Sequence, residues 1–228
     1  MAKLRETIVQ VEALHFLRNR YRSRARRGRI YAQTEVRTKP KYGGKRADGL
    51  IAYRRFLGSI EVISIEAKSS KTLPSMKPVL QLRWLIWNSI KAGLLIAILT
   101  GAFCVFYKFE DLTTRILVPL NTFAVGALLY GMLTFDSYRH CKIRVIAQLK
   151  QYPANEQWLA FSKDSLDSIS KKKRRDMKKI CQAHGVGILS VNHRGKVKIL
   201  VKAKHNYKLL GDYLGYYSSE EEIRNDIK

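Results

Sequence analysis

Patterns of cysteine and histidine that hold metals are missing from this chain. Its three cysteines, Cys104, Cys141 and Cys181, stand far apart, and its five histidines form no HxxxH pair and accompany no CxxC. That spacing excludes a zinc quartet and a disulfide framework, and it fits a reducing compartment. Acid is scarce as well, because 18 Asp and Glu stand against 43 Lys and Arg and leave a net charge of +25. An imbalance of that size predicts an anionic partner, either nucleic acid or anionic lipid. No secretory pattern opens the chain, since Met1-Ala2-Lys3-Leu4-Arg5-Glu6 is polar where a signal peptide is apolar. The 228 residues suffice for one domain of ordinary size and a small extra module.

Two apolar runs break the soluble pattern. Ala92 to Tyr107 carries no charge and is preceded by Trp84, Trp87 and Lys91 in the manner of interfacial anchors. A helix starting near Trp84 spans about 30 Å at about 1.5 Å per residue, with Lys91 snorkelling to the surface. Ile116 to Phe135 forms the second run and includes Pro119, Asn121 and the small residues Gly126, Ala127 and Gly131, which suit close helix packing. Only Lys108 to Arg115 separates them, so they read as a transmembrane helical hairpin. Lys71, Lys77 and Arg83 before it, and Arg139, Lys142, Arg144 and Lys150 after it, place both termini in the cytoplasm by the positive-inside rule. The expected location is the cell inner membrane, with two spans. A buried helical pair in a soluble core is the alternative.

The chemistry concentrates in two neighbouring segments, Arg46-Ala47-Asp48-Gly49-Leu50-Ile51-Ala52 and Val62-Ile63-Ser64-Ile65-Glu66-Ala67-Lys68. The second alternates with period two and is rich in Ile and Val, which makes it a strand with Ser64, Glu66 and Lys68 on one face. Leu57-Gly58 reads as a two-residue turn from the preceding strand, so that Phe56 pairs with Ser59 and Asp48 falls opposite Ala67. Two carboxylates and an ammonium then meet at one end of a hairpin. Mg²⁺ binds few protein carboxylates and keeps several waters, and it lowers the pKa of a bound water while offsetting charge at phosphorus. The bland alternative is a turn aspartate beside the solvated face of an edge strand.

These residues resemble the signature of the PD-(D/E)xK nuclease superfamily, an Asp opening one strand and Glu-x-Lys on the next. Asp48, Glu66 and Lys68 match it, with Ala47 where the usual Pro stands. The resemblance implies Mg²⁺, or Mn²⁺ in its place, held by Asp48, Glu66 and the Ala67 carbonyl. It gives Lys68 the attacking water and Glu12 an additional acidic role on the first helix, with Glu35 as an alternative. It implies an α/β fold, a restriction-endonuclease-like αβββαβ core carrying a two-helix transmembrane insertion. The parts are residues 1–80 and 139–215 for the nuclease domain, 81–138 for the hairpin and 216–228 for an acidic, disordered tail. The helix after Glu-x-Lys would run from about Ser75 into the first span, with Gln81 lining the site.

The remaining soluble sequence supplies the other elements. Leu4, Val11, Leu14, Phe16 and Leu17 mark a first helix over residues 3–20, followed by strands near Arg29 to Val36, Leu50 to Arg55 and Ile60 to Lys68. Gln157 to Phe161 reads as a fourth strand, Leu166 to His184 as a helix ended by Gly185, and Val186 to Val191 with Lys196 to Lys202 as a hairpin turning at Asn192-His193-Arg194-Gly195. Arg20, Arg22, Arg24 and Arg26 follow the first helix without an intervening acid and read as a phosphate-gripping surface beside the acidic site. Lys171-Lys172-Lys173-Arg174-Arg175 reads equally as a DNA contact or a solvated helix face. The function expected is a membrane-anchored nuclease acting on DNA, with RNA not excluded, in defence against incoming phage or plasmid DNA. The lipid bilayer and further copies of the chain in a homo-oligomer complete the expected partners. A non-catalytic membrane adaptor and a ligand-gated membrane effector are the alternatives.

Overall fold

The computed structural model describes residues 4–56, 58–69, 78–107, 111–135 and 137–228. Two compact units result, Met1–Pro78 with Ile143–Lys228, and Val79–Lys142.

The first unit is mixed α/β. It opens with α1 (Glu6–Arg22) and continues through β1 (Ile30–Arg37), β2 (Arg46–Arg54) and β3 (Ile60–Lys68). After the second unit come α4 (Arg144–Leu149), β6 (Glu156–Ser162), α5 (Lys163–Asp167), α6 (Lys171–Ala183), β7 (Gly187–Val191), β8 (Val197–Val201) and α7 (Glu220–Asp226). Its six-stranded sheet has the order β1-β2-β3-β6-β7-β8, with β3, β6 and β7 parallel and the outer pairings antiparallel. The expected order of helix, three strands and a later fourth strand is therefore present.

α1 covers one face because Val9, Ala13, Leu17 and Tyr21 recur every four residues and form a single buried stripe. That stripe packs on Ile51, Ile63, Ile65 and Trp158. Val11, one of the apolar positions that mark the helix, is exposed. The other face is closed by Leu214, Tyr217, Ile223 and Ile227 against Leu50, Ala52 and Val62. This corrects the expectation of a disordered tail. Ile223 and Ile227 bury on the core side of α7, while Glu220 pairs with Lys39 at 2.6 Å and Arg224 with Asp212 at 3.0 Å. With both faces covered, β3 is buried almost throughout, so an Ile- and Val-rich strand is favoured.

Three boundaries differ from the sequence reading. The helix expected over Leu166 to His184 is two helices, because Ser170 caps α6 by accepting from the Lys173 N–H. Gly185, at φ 71°, ends α6 as expected, and the Val186 N–H returns to the Cys181 carbonyl at 2.8 Å. The β2–β3 connection is also longer than expected. The Arg55 N–H donates to the Ser59 carbonyl and the ladder starts at Arg54 and Ile60, leaving three residues in the loop, of which Leu57 lies outside the described residues. The register is thus shifted by one from the Phe56–Ser59 pairing. Finally, Ser75, Lys71, Lys77, Lys108 and Glu110 lie outside the described residues. The span is preceded by β4 (Val79–Leu80) instead of a continuing helix.

The second unit pairs β4 with β5 (Cys141–Lys142) and contains α2 (Leu82–Phe106) and α3 (Leu112–Thr134). Both long helices are apolar enough to cross a membrane, with mean hydropathies of 2.0 and 1.8 over their most apolar stretches. They bury little, 11% and 6% of those stretches, whereas a core helix of a soluble protein is mostly buried. They pack closely at Gly93, where an added Cβ would lie 2.6 Å from the Phe123 carbonyl oxygen, and Thr100 and Thr122 meet at 2.8 Å. Asp111 caps α3 through the Thr113 and Thr114 N–H groups. Lys91 lies over the Trp87 ring at 5.6 Å. Gln81 precedes α2, and its N–H donates to the His140 carbonyl.

Candidate functional site

The last backbone pair between β2 and β3 is Gly49 with Ile65, and Leu50 stands opposite Ser64. Two residues outward on each strand, Asp48 and Glu66 share the Ser64 face, since cross-strand partners point the same way. Past the last pair the Ala67 N–H donates not to backbone but to Asp48 Oδ2, at 2.7 Å. The N–H and C=O of a strand residue point to the same side, so the Ala67 carbonyl also faces the Asp48 side. Lys68 Nζ donates to Glu66 Oε1 at 2.6 Å. The structure thus brings Asp48, Glu66, Ala67 and Lys68 together.

The third acid is Glu6. Its carboxylate lies 3.6 Å from Lys68 Nζ and accepts from the Ser69 N–H at 3.3 Å. One turn on, the Gln10 side-chain amide donates to the Asp48 carbonyl. Glu12, assigned by resemblance, instead lies against Gly195 in the β7–β8 turn. Six residues from Glu6 advance about 9 Å along the helix and turn to a different face. Gln10 was legible as the polar member of an otherwise apolar buried stripe. Glu35 is exposed, pairs with Arg46 at 3.4 Å, and adopts φ 61° where the β1–β2 ladder skips the Glu35–Asp48 rung.

The electrostatics follow from burial. Glu66 is fully buried, and its carboxyl is pushed up to about 7, first by that burial and then by the charge of Asp48. Burial also raises Asp48, against the lowering effect of the Ala67 hydrogen bond and Lys68. Burial opposes the charge on Lys68, but Glu66, Asp48 and Glu6 outweigh it and hold the ammonium above the ordinary lysine value. Lys68 therefore stays protonated at neutral pH. It is suited to orient a water or a phosphate oxygen by donation and unsuited to take a proton.

The donor set fits a hard divalent cation. Among the described residues Glu66 Oε2 is buried without a hydrogen-bond partner, and two neighbouring carboxylates with raised pKa values relax when a cation joins them. Among the described residues no three His, Cys, Asp or Glu side chains converge as a ligand group. Asp48 and Glu66 with the Ala67 carbonyl would make the sparse oxygen ligation that Mg²⁺ accepts.

The arginine cluster is not beside this site. Gln10 touches Asp48, whereas Tyr21 at the other end of α1 stacks on Tyr53 and donates to Glu156. The twelve residues from Gln10 to Arg22 rise about 18 Å. Arg24 lies over Tyr21 at 5.4 Å and 4.0 Å from Glu156, and Arg20 is half-buried, while Arg22 and Arg26 are exposed.

No family model matches the chain, and no curated protein or solved structure matches it either.

Proposed function

We propose that this protein is a membrane-anchored, metal-dependent nuclease of the PD-(D/E)xK type, with a restriction-endonuclease-like core. The reading rests on one observation above others: Asp48 and Glu66 share a face at the end of adjacent strands, with Lys68 bonded to Glu66. Asp48, Glu66 and the Ala67 carbonyl would hold Mg²⁺ or Mn²⁺, which supplies an activated water and offsets charge at phosphorus. Lys68 donates to the oxygens of the reacting group. Glu6 holds Lys68 from the helix side, and Gln10 fixes the strand position of Asp48. The net charge of +25 supports a nucleic-acid substrate. The two apolar helices and the charge bias at their flanks support an inner-membrane location with both termini cytoplasmic. Foreign DNA entering at the envelope is the substrate class this location favours.

A second reading, a non-catalytic membrane adaptor, is favoured by the Lys68 ammonium, which lies 2.6 Å from Glu66 Oε1 and neutralises that carboxylate without a metal. Purified full-length protein incubated with plasmid DNA in Mg²⁺ and in EDTA separates the two. Mg²⁺-dependent cleavage lost in Asp48→Ala and Glu66→Ala carries the nuclease reading. Intact plasmid and intact RNA under every divalent condition would hand the protein to the adaptor reading.

A further inference from the structure

Residue pairing across the sheet sets Lys68 in one lateral row with Phe161, Ser190 and Lys198. Directly paired residues share a face, so this row leads from the acidic site to the edge strand β8. Three strand spacings of about 4.8 Å place the two lysines about 14 Å apart. At that end the α5–α6 pair and the β7–β8 hairpin enclose a groove of about 410 Å³. Lys163, Lys178, Lys196 and Lys198 line it, together with Arg174 and Asp167, which pair with each other at 3.3 Å. Among the described residues none of the four lysine ammonium groups has an acidic partner. The neighbouring Asp164 is taken by His193 at 2.8 Å.

We propose that this lysine groove binds the phosphodiester backbone of the nucleic acid whose scissile bond lies at Asp48 and Glu66. The proposal rests on the nuclease reading for the second half of that sentence and on charge and geometry for the first. Unpaired ammonium groups in a concave groove gain by displacing the counterions condensed on a nucleic acid. The separation of about 14 Å along the row corresponds to about four base steps at 3.4 Å, so one strand reaches both places. A membrane surface fits less well. A helix or loop that enters the bilayer interface presents large apolar side chains, and none from Lys163 to Leu200 is exposed, whereas Tyr207, Leu209 and Leu210 on the next segment are. The Arg18 to Arg29 cluster begins on the α1 side of the same hairpin, where Arg20 lines a separate pocket with Gly195 and Val197.

The test compares two full-length variants with the same charge change, in detergent and in EDTA so that binding is read without cleavage. One is Lys163→Gln/Lys178→Gln/Lys196→Gln/Lys198→Gln. The other is Arg18→Gln/Arg22→Gln/Arg26→Gln/Arg29→Gln. Anisotropy of fluorescein-labelled duplex DNA and of duplex RNA of equal length is followed between about 50 and 200 mM salt. Loss of four phosphate contacts flattens the slope of log affinity against log salt by about 3.6 in the groove variant, and the arginine variant changes it by less than half as much. The duplex that shows the larger groove-dependent loss is the substrate type. Equal slopes in the two variants would reduce the groove to bulk charge and overturn the proposal. So would unaltered nucleic-acid binding with weakened retention on phosphatidylserine vesicles. A wild type that binds through the groove yet cleaves nothing removes the nuclease reading and leaves the groove standing.

Discussion

Asp48 accepts a 2.7 Å hydrogen bond from the backbone N–H of Ala67. Through that bond its carboxylate reaches the stretch between Glu66 and Lys68, although the backbone register runs one residue away from the pairing that would have put Asp48 opposite Ala67. The shift matters chemically. A one-residue slip exchanges the faces of a strand, and only the observed register sets Asp48 on the same face as Glu66.

Cation binding should stabilise the fold in a pH-dependent way. The Glu66 carboxyl is raised in the folded state from 4.5 to about 7, so the folded protein holds this proton more tightly than the unfolded chain does. Its contribution is most favourable below the unfolded value and falls as pH rises towards 7. A divalent cation offsets that loss only where Glu66 is ionised. Mg²⁺ should therefore raise the melting temperature at about pH 8 and much less at about pH 5, and Glu66→Gln should abolish the difference. Equal shifts at both pH values, read by thermal denaturation, would count against metal at this pair.

Glu6 and Glu12 should separate cleanly. Glu6→Gln removes an anion 3.6 Å from Lys68 and should lower cleavage about tenfold or more, the usual cost of losing a supporting partner at a metal site. Glu12→Gln should stay within about twofold of wild type, since its carboxylate faces Gly195. Steady-state cleavage of labelled DNA measures both. The reverse order would restore Glu12 to the site.

Helix packing in the second unit depends on Gly93. A Cβ there meets the Phe123 carbonyl oxygen at 2.6 Å, a backbone atom that cannot swing aside, whereas a Cβ at Gly126 meets the flexible end of Ile96. Gly93→Val should therefore separate the helices and Gly126→Ala should not. Disulfide formation in Thr100→Cys/Thr122→Cys, whose hydroxyl oxygens lie 2.8 Å apart, reports the packing. Efficient cross-linking in the Gly93→Val background would refute the close contact.

In the proposed topology only the α2–α3 connection lies outside the cell. Thr113→Cys should react with a membrane-impermeant maleimide in intact cells, and Ser219→Cys should react only after lysis. External labelling at Ser219 would reverse the topology and remove the cytoplasmic nuclease model.

Local patterns carried much of this molecule. Period-two alternation in Ile60 to Lys68 identified β3, and charge-free runs that, with the Trp84 and Trp87 anchors before the first, reach about the length a bilayer requires identified α2 and α3. Each of these signals is complete within one segment, because the backbone period or the solvent selects it. Asp48, Glu66 and Lys68 were legible for the same reason, as the polar interruptions of apolar strands.

Tertiary packing decided what remained. Which face of α1 meets β3 selects Glu6 over Glu12, and the course of α1 across the sheet carries Arg20 to Arg26 away from the acids that precede them in space. The β2–β3 register depends on a loop one residue longer than the shortest hairpin, and the order of the C-terminal segment depends on burying Ile223 and Ile227 against β1 to β3. Lys68 and Lys198 lie in one row only because β3, β6, β7 and β8 pair side by side, joining residues 130 positions apart. The sequence alone determined the chemical groups and their local periods. Long-range contacts determined which of those groups meet, since burial and cross-strand hydrogen bonding act between segments that no local window contains.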